Sequence, residues 1–112
     1  MIGYSRGDVV LVRFVFSEGS EAKRRPALIL STNEYHSGRQ EVVVAAITSN
    51  TRRHLVGDQL IAGWETAGLL FPSTVTAILR TIKRTMVDRR LGSLSPTDLV
   101  AFSAQLRRVL GL

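Results

Sequence analysis

The chain has 112 residues, fifteen Lys and Arg against nine Asp and Glu, and no cysteine. Its length fits one domain, residues 1–112, able to bury its own core. Hydrophobic content of 45% with 21% charged residues is that of a globular protein and excludes a disordered one. The missing cysteines exclude disulfides, thiolate zinc sites and a cysteine nucleophile. His36 and His54 have no ligand spacing around them, so no metal is expected. No apolar run approaches the ~20 residues of a membrane span. The start, MIGYSRGDVV, breaks with Arg6 and Asp8 where a signal peptide needs an apolar stretch. A cytoplasmic protein is expected.

GDVVLVRFVF is dense in Val and Phe and predicts a strand over Asp8 to Phe16. It is apolar on both faces except at Arg13, so both faces should be covered. Gly7 and Asp8 suit the turn into it. SEGSEAKRR is polar, aperiodic and carries Gly19, and reads as a loop. PALILST predicts a second strand, Pro26 to Thr32, with Pro at its first position, where a ladder N–H is dispensable. NEYHSGRQ reads as a turn. EVVVAAI, Glu41 to Ile47, is a third strand, its β-branched content arguing against a helix. TSNTRRHLVGD then breaks the pattern. A short strand is expected over Gln59 to Ile61. Gly63, Gly68 and Pro72 punctuate the segment GWETAGLLFPS, and TVTAILRTIK, Thr74 to Lys83, reads as a strand. A helical turn fits Thr85 to Leu91.

The tail reads as a helix. Ser95 is an N-cap, Pro96 takes the first helical position, and Asp98 lies three residues past the cap. Leu99, Phe102, Leu106 and Val109 form one helical face running to Leu110, with Gly111 as the stop. The sum is a mainly β protein with α: a small barrel of five or six strands closed by a carboxy-terminal helix.

The net charge is +6, and it is clustered. Lys23, Arg24 and Arg25 are contiguous, Arg52-Arg53, Arg89-Arg90 and Arg107-Arg108 are pairs, and Arg80, Lys83 and Arg84 lie close together. Thirteen of the fifteen cations are Arg, whose planar fork matches phosphate oxygens. Nucleic acid is the commonest partner of such a balance. Arg107 and Arg108 have a structural explanation, since cations are favoured in the last turn of a helix.

Several enzyme templates are missing. The chain has no phosphate-binding Gly loop ending in Lys-Ser/Thr, no Gly-x-Ser-x-Gly elbow and no His-Glu-x-x-His. Sparse carboxylates argue against a two-metal nuclease. Arginines and hydroxyls remain, and they suit RNA cleavage by its own 2′-hydroxyl, which needs cations for the charge that grows on the phosphorus oxygens. Arg25 precedes the second strand and Thr48 follows the third, ahead of Ser49 and Asn50. If those strands are neighbours, both side chains reach one groove.

RGDVVLVRFVF, KRRPALIL and VVVAAITSN, followed in order by GLLFPSTV, TIKRTMVDRRLGSLS and the terminal helix, resemble the MazF/PemK family of toxins from toxin–antitoxin operons. The likeness runs from Arg6 to Leu112. It implies an SH3-like small barrel, the plasmid maintenance toxin fold, and a homodimeric, metal-independent, sequence-specific endoribonuclease. Such an enzyme cuts single-stranded RNA, chiefly mRNA, leaves a cyclic phosphate and a 5′-hydroxyl, and is blocked by a cognate antitoxin. It also implies catalytic roles for two residues: Arg25, stabilising phosphate charge and acting as acid, and Thr48, holding the scissile phosphate. Lys23, Arg24, Ser49, Asn50, Arg52 and Arg53 are the expected RNA contacts around them, and the loop Ser17 to Lys23 is expected to govern base choice. Some members carry an Arg-x-Asp pair after the Pro-Ser-Val block, the Asp serving as base; here the region reads Val75-Thr76-Ala77-Ile78. Of the two imidazoles, His54 is nearer Thr48 and is the better acid–base candidate. Trp64 and Phe71 are candidates for base stacking or for covering the barrel's end or a dimer seam. Two other readings use the same fold: a non-catalytic nucleic-acid-binding barrel, and a gyrase-poison-like toxin. The latter needs a carboxy-terminal Trp that RRVLGL lacks.

Overall fold

The computed structural model describes residues 3–14 and 23–112. Six strands are present: β1 (Asp8–Phe14), β2 (Lys23–Ile29), β3 (Glu41–Thr48), β4 (Gln59–Leu60), β5 (Thr74–Lys83) and β6 (Val87–Ser93). A short helix, α1 (Asn33–His36), joins β2 to β3, and α2 (Pro96–Leu110) ends the chain. The strands form one sheet in the order β4-β5-β3-β2-β1-β6, and the pairings within it are antiparallel. The sheet has two edges, β4 and β6. Among the described residues the expected barrel is therefore an open sheet rather than one closed by hydrogen bonds. No helix among the described residues is long and apolar enough to cross a membrane.

Both faces of the sheet centre are buried, as the run of apolar residues on both faces of β1 requires. Val9, Leu28, Ala45, Ile47 and Val75 pack with Phe102 of α2. Val10, Val12, Ala27, Ile29 and Val44 turn the other way and pack with Val42, Ile82 and Val87. Successive residues belong to opposite faces because strand side chains alternate. Arg13 is exposed, as its break in the apolar run suggests. Phe102 is fully buried, so Phe102→Ala would cost about 3–5 kcal/mol.

Helix α2 follows its sequence signals. Ser95 Oγ accepts from the Asp98 N–H at 3.1 Å, and Gly111 ends the helix at φ 72°. Asp98 does more than sit in the first turn. Its buried carboxylate accepts from the Ala62 N–H at 3.1 Å and the Gly63 N–H at 2.9 Å, tying the segment after β4 to the helix. Val109, assigned to the buried face, is left exposed near the helix end.

The structure corrects several boundaries. β2 begins at Lys23, so Pro26 is its fourth residue and the Lys-Arg-Arg run is strand rather than loop. α1 occupies the expected turn, with Thr32 Oγ1 accepting from the Tyr35 N–H. The helical turn near Thr85 is one turn of 3₁₀ helix, Arg84–Met86, and β6 follows where no strand was expected. β6 is an edge strand with a polar Asp-Arg-Arg centre, so it carries no apolar alternation to read. Val15 and Phe16, the end assigned to the first strand, and residues 17–22 of the expected specificity loop lie outside the described residues.

Candidate nucleic-acid groove and active site

The β2–β3 ladder runs from Ile29 opposite Val44 to Ala27 opposite Ala46 and stops there. Pro26 comes next, with no N–H to extend it. Continuing the same register by two residues sets Arg25 opposite Thr48. Both line a groove of about 950 Å³ that opens where the strands part. The two residues singled out from sequence thus meet in one site.

Thr48 owes its place to the other side of β3 as well. The β3–β5 register shifts between Ala45 and Ile47, a bulge that brings Thr48 opposite Thr74. Thr76 patches that bulge: its hydroxyl donates to the Ala46 carbonyl at 2.8 Å and accepts from the Ile78 N–H at 3.2 Å. This hydroxyl is buried and already spent on the backbone. Past the strand, the Asn50 N–H donates to Thr48 Oγ1 at 3.1 Å, and Asn50 Oδ1 accepts from the Arg52 N–H at 3.2 Å. Successive side-chain turns of this kind fix the loop. They also leave the Thr48 O–H as a donor toward the groove.

Among the remaining expected RNA contacts, Ser49 lines the groove. Asn50 and Arg52 belong to the turn outside its lining, and Arg52 is exposed. Arg53 is held by Asp58 at 2.9 Å, Arg24 by Asp88 at 2.9 Å, and Lys23 is exposed opposite Phe14. None of these three lines the groove. His54 is exposed outside the lining. His36 is buried, its Nε2 joined to Ser31 Oγ at 2.6 Å, and burial pushes its pKa below the ordinary value against an opposing contribution from the Tyr4 backbone. Trp64 is partly buried and packs against the core, whereas Phe71 is exposed on the groove rim. Asp8 serves the turn, accepting from the Ser5 N–H at 2.9 Å and pairing with Arg90 at 3.1 Å.

Arg80 and Arg89 also line the groove. Their clusters are visible in sequence, but nothing there says which guanidinium turns inward. No Asp or Glu is among the described lining residues. Three arginines and hydroxyls over an apolar floor make a site for an anion. Among the described residues, no group of three or more His, Asp or Glu is placed to hold a metal ion.

Residues 5–110 match the family model described as "PemK-like, MazF-like toxin of type II toxin-antitoxin system". "Endoribonuclease MazF2" of Mycobacterium bovis and "Endoribonuclease MazF6" of Mycobacterium tuberculosis are each 33% identical over 112 residues, covering 96% of this chain and 97% of the relative. Similar solved structures include a mycobacterial endoribonuclease in complex with its cognate antitoxin, with TM-score 0.77, 23% identity and coverage of 98% of this chain and 97% of that one. A MazE–MazF crystal structure from Deinococcus radiodurans has TM-score 0.80 at 18% identity, covering 99% of both chains. These structural likenesses establish the fold.

Proposed function

Because this chain belongs to the PemK-like, MazF-like family of type II toxin–antitoxin toxins, we propose that it is a metal-independent endoribonuclease acting on single-stranded RNA, chiefly mRNA. The observation that carries this reading is the convergence of Arg25 and Thr48 in a groove whose described lining holds three arginines and no carboxylate.

In this reaction the 2′-oxygen attacks the adjacent phosphorus and the bond to the 5′-oxygen breaks. A 2′,3′-cyclic phosphate and a 5′-hydroxyl result. One proton leaves the attacking oxygen and one reaches the departing oxygen. Arg25 donates to the non-bridging oxygens, whose charge grows toward the pentacoordinate state, so its contribution is larger there than in the ground state. The Thr48 O–H, oriented by the Asn50 turn, holds the scissile phosphate in line. Ser49 contacts the adjoining nucleotide.

The working protein is a homodimer in the cytoplasm. Leu70 and Phe71, 84% and 63% exposed on the groove rim, are apolar surface that a second protomer would cover. A cognate antitoxin blocks the groove with an acidic segment that folds on binding. Incubating the purified protein with a defined transcript in EDTA and mapping the new ends tests the activity. Fragments with 5′-hydroxyl ends at a recurring short sequence are expected. RNA binding without cleavage would replace the enzyme with a plain binding module.

A further inference from the structure

Two adjacent-arginine pairs are divided by the fold in the same way. On β2, Arg24 is neutralised by Asp88, while Arg25 lines the groove. On β6, Arg90 is neutralised by Asp8, while Arg89 lines the groove. A third cation, Arg80 on β5, lines it too, its guanidinium 4.9 Å from the centre of the Phe14 ring. Stacking on an aromatic face holds a guanidinium in place and leaves its edge N–H groups for a ligand. Among the described residues none of these three arginines has an ion-pair partner, and Asp88 of β6 and Asp8 of β1 are committed to Arg24 and Arg90.

Three unneutralised guanidiniums in one groove repel one another, and a single phosphodiester carries one negative charge against their three. Their order matters. In the sheet, Arg25 on β2 lies two strands from Arg80 on β5 and two strands, in the other direction, from Arg89 on β6. Register places Arg80 opposite Val44, on the face that carries Ala27 and Arg25, and Arg89 opposite Leu11, on the other face. Residues of both faces line the one groove, so it passes over the sheet end where the β2–β3 pairing stops. By strand order Arg25 is the middle one of the three.

We propose that Arg80 and Arg89 are positioning residues that hold the backbone phosphates on either side of the one gripped by Arg25, so that the groove reads a run of phosphates with the scissile one in the middle. This assignment rests on the RNA-cleaving reading of the site.

The test is equilibrium binding of a non-cleavable 2′-O-methyl copy of the cleaved RNA over a range of salt concentrations, alongside cleavage kinetics. Arg80→Gln and Arg89→Gln should each raise Kd about ten-fold. Each should also flatten the slope of log K against log salt by about 0.7, the value for one single-strand phosphate contact. The kcat at saturating RNA should stay within about three-fold. Arg80→Lys and Arg89→Lys should restore the slope, and Arg108→Gln, which removes an equal charge from the far end of α2, should leave it unaltered. Independently of any variant, replacing phosphates one at a time by neutral methylphosphonates should flatten the wild-type slope at the scissile position and at one position on each side. A wild-type slope in either glutamine variant, or a loss confined to kcat, overturns the assignment for that residue. Sensitivity at the scissile phosphate alone overturns it for both. Wild-type protein that neither binds nor cleaves RNA refutes the functional reading itself.

Discussion

Arg25 and Thr48 line one groove, each two residues beyond Ala27 and Ala46, the last paired positions of β2 and β3, so the end of a hydrogen-bonded ladder borders the candidate site. Their rigid neighbours are buried: Ala27, Val44 and Ile29 fix the strands from which both side chains project. A constellation mounted on core strands is held more firmly than one on loops.

Arg25→Ala and Thr48→Ala should each reduce cleavage by a factor on the order of 10²–10³ with circular dichroism unaltered. Arg24→Ala removes the same charge from a residue tied to Asp88 outside the groove and should cost about three-fold or less. The comparison is made with one RNA at several salt concentrations. Equal losses in Arg24→Ala and Arg25→Ala would mean that bulk attraction, not a site, drives the reaction.

Asp98→Ala should destabilise the protein by about 2–4 kcal/mol, because the Ala62 and Gly63 N–H groups lose their acceptor together. Urea unfolding measures this. A change below about 0.5 kcal/mol would show that water replaces the carboxylate there.

Gly68 has φ +82°, and a Cβ at this position would overlap the Leu91 carbonyl oxygen. Gly68→Ala therefore forces the segment before Leu70 and Phe71 away from β6. A loss of about 3 kcal/mol in unfolding free energy is expected, with cleavage falling as the groove rim moves. Wild-type stability in that variant would contradict the close approach.

His36 makes stability pH-dependent with a definite sign. In the unfolded chain its imidazole takes up a proton near pH 6.5, whereas burial holds the folded pKa lower. Below about pH 6.5 the unfolded state binds more protons, so stability falls as pH falls until the folded group also titrates, with a slope of at most about 1.4 kcal/mol per pH unit. Above about pH 7.5 the residue contributes no slope. Thermal melts of wild type and His36→Gln across this range check it. The variant should show the flatter profile on the acid side, and parallel profiles would count against the assignment.

Strands β1, β3 and β5 and helix α2 were legible in the sequence because each carries its own local signal: β-branched runs in the strands, and Ser95, Pro96 and Gly111 bracketing an apolar stripe in the helix. Local chemistry also placed Arg25 before a proline and Thr48 at a strand end. Strand β6 was not legible. Its Asp88 and Arg90 are answered by Arg24 and Asp8, which are distant in sequence, and an edge strand needs no apolar period. The sharing of one groove by Arg80, Arg25 and Arg89 was decided by tertiary structure alone. Charge in a sequence is a sum, whereas a site depends on which cations find a carboxylate and which do not. That partition follows from register and side-chain alternation, and both are set only when β2, β5 and β6 take their places in the sheet.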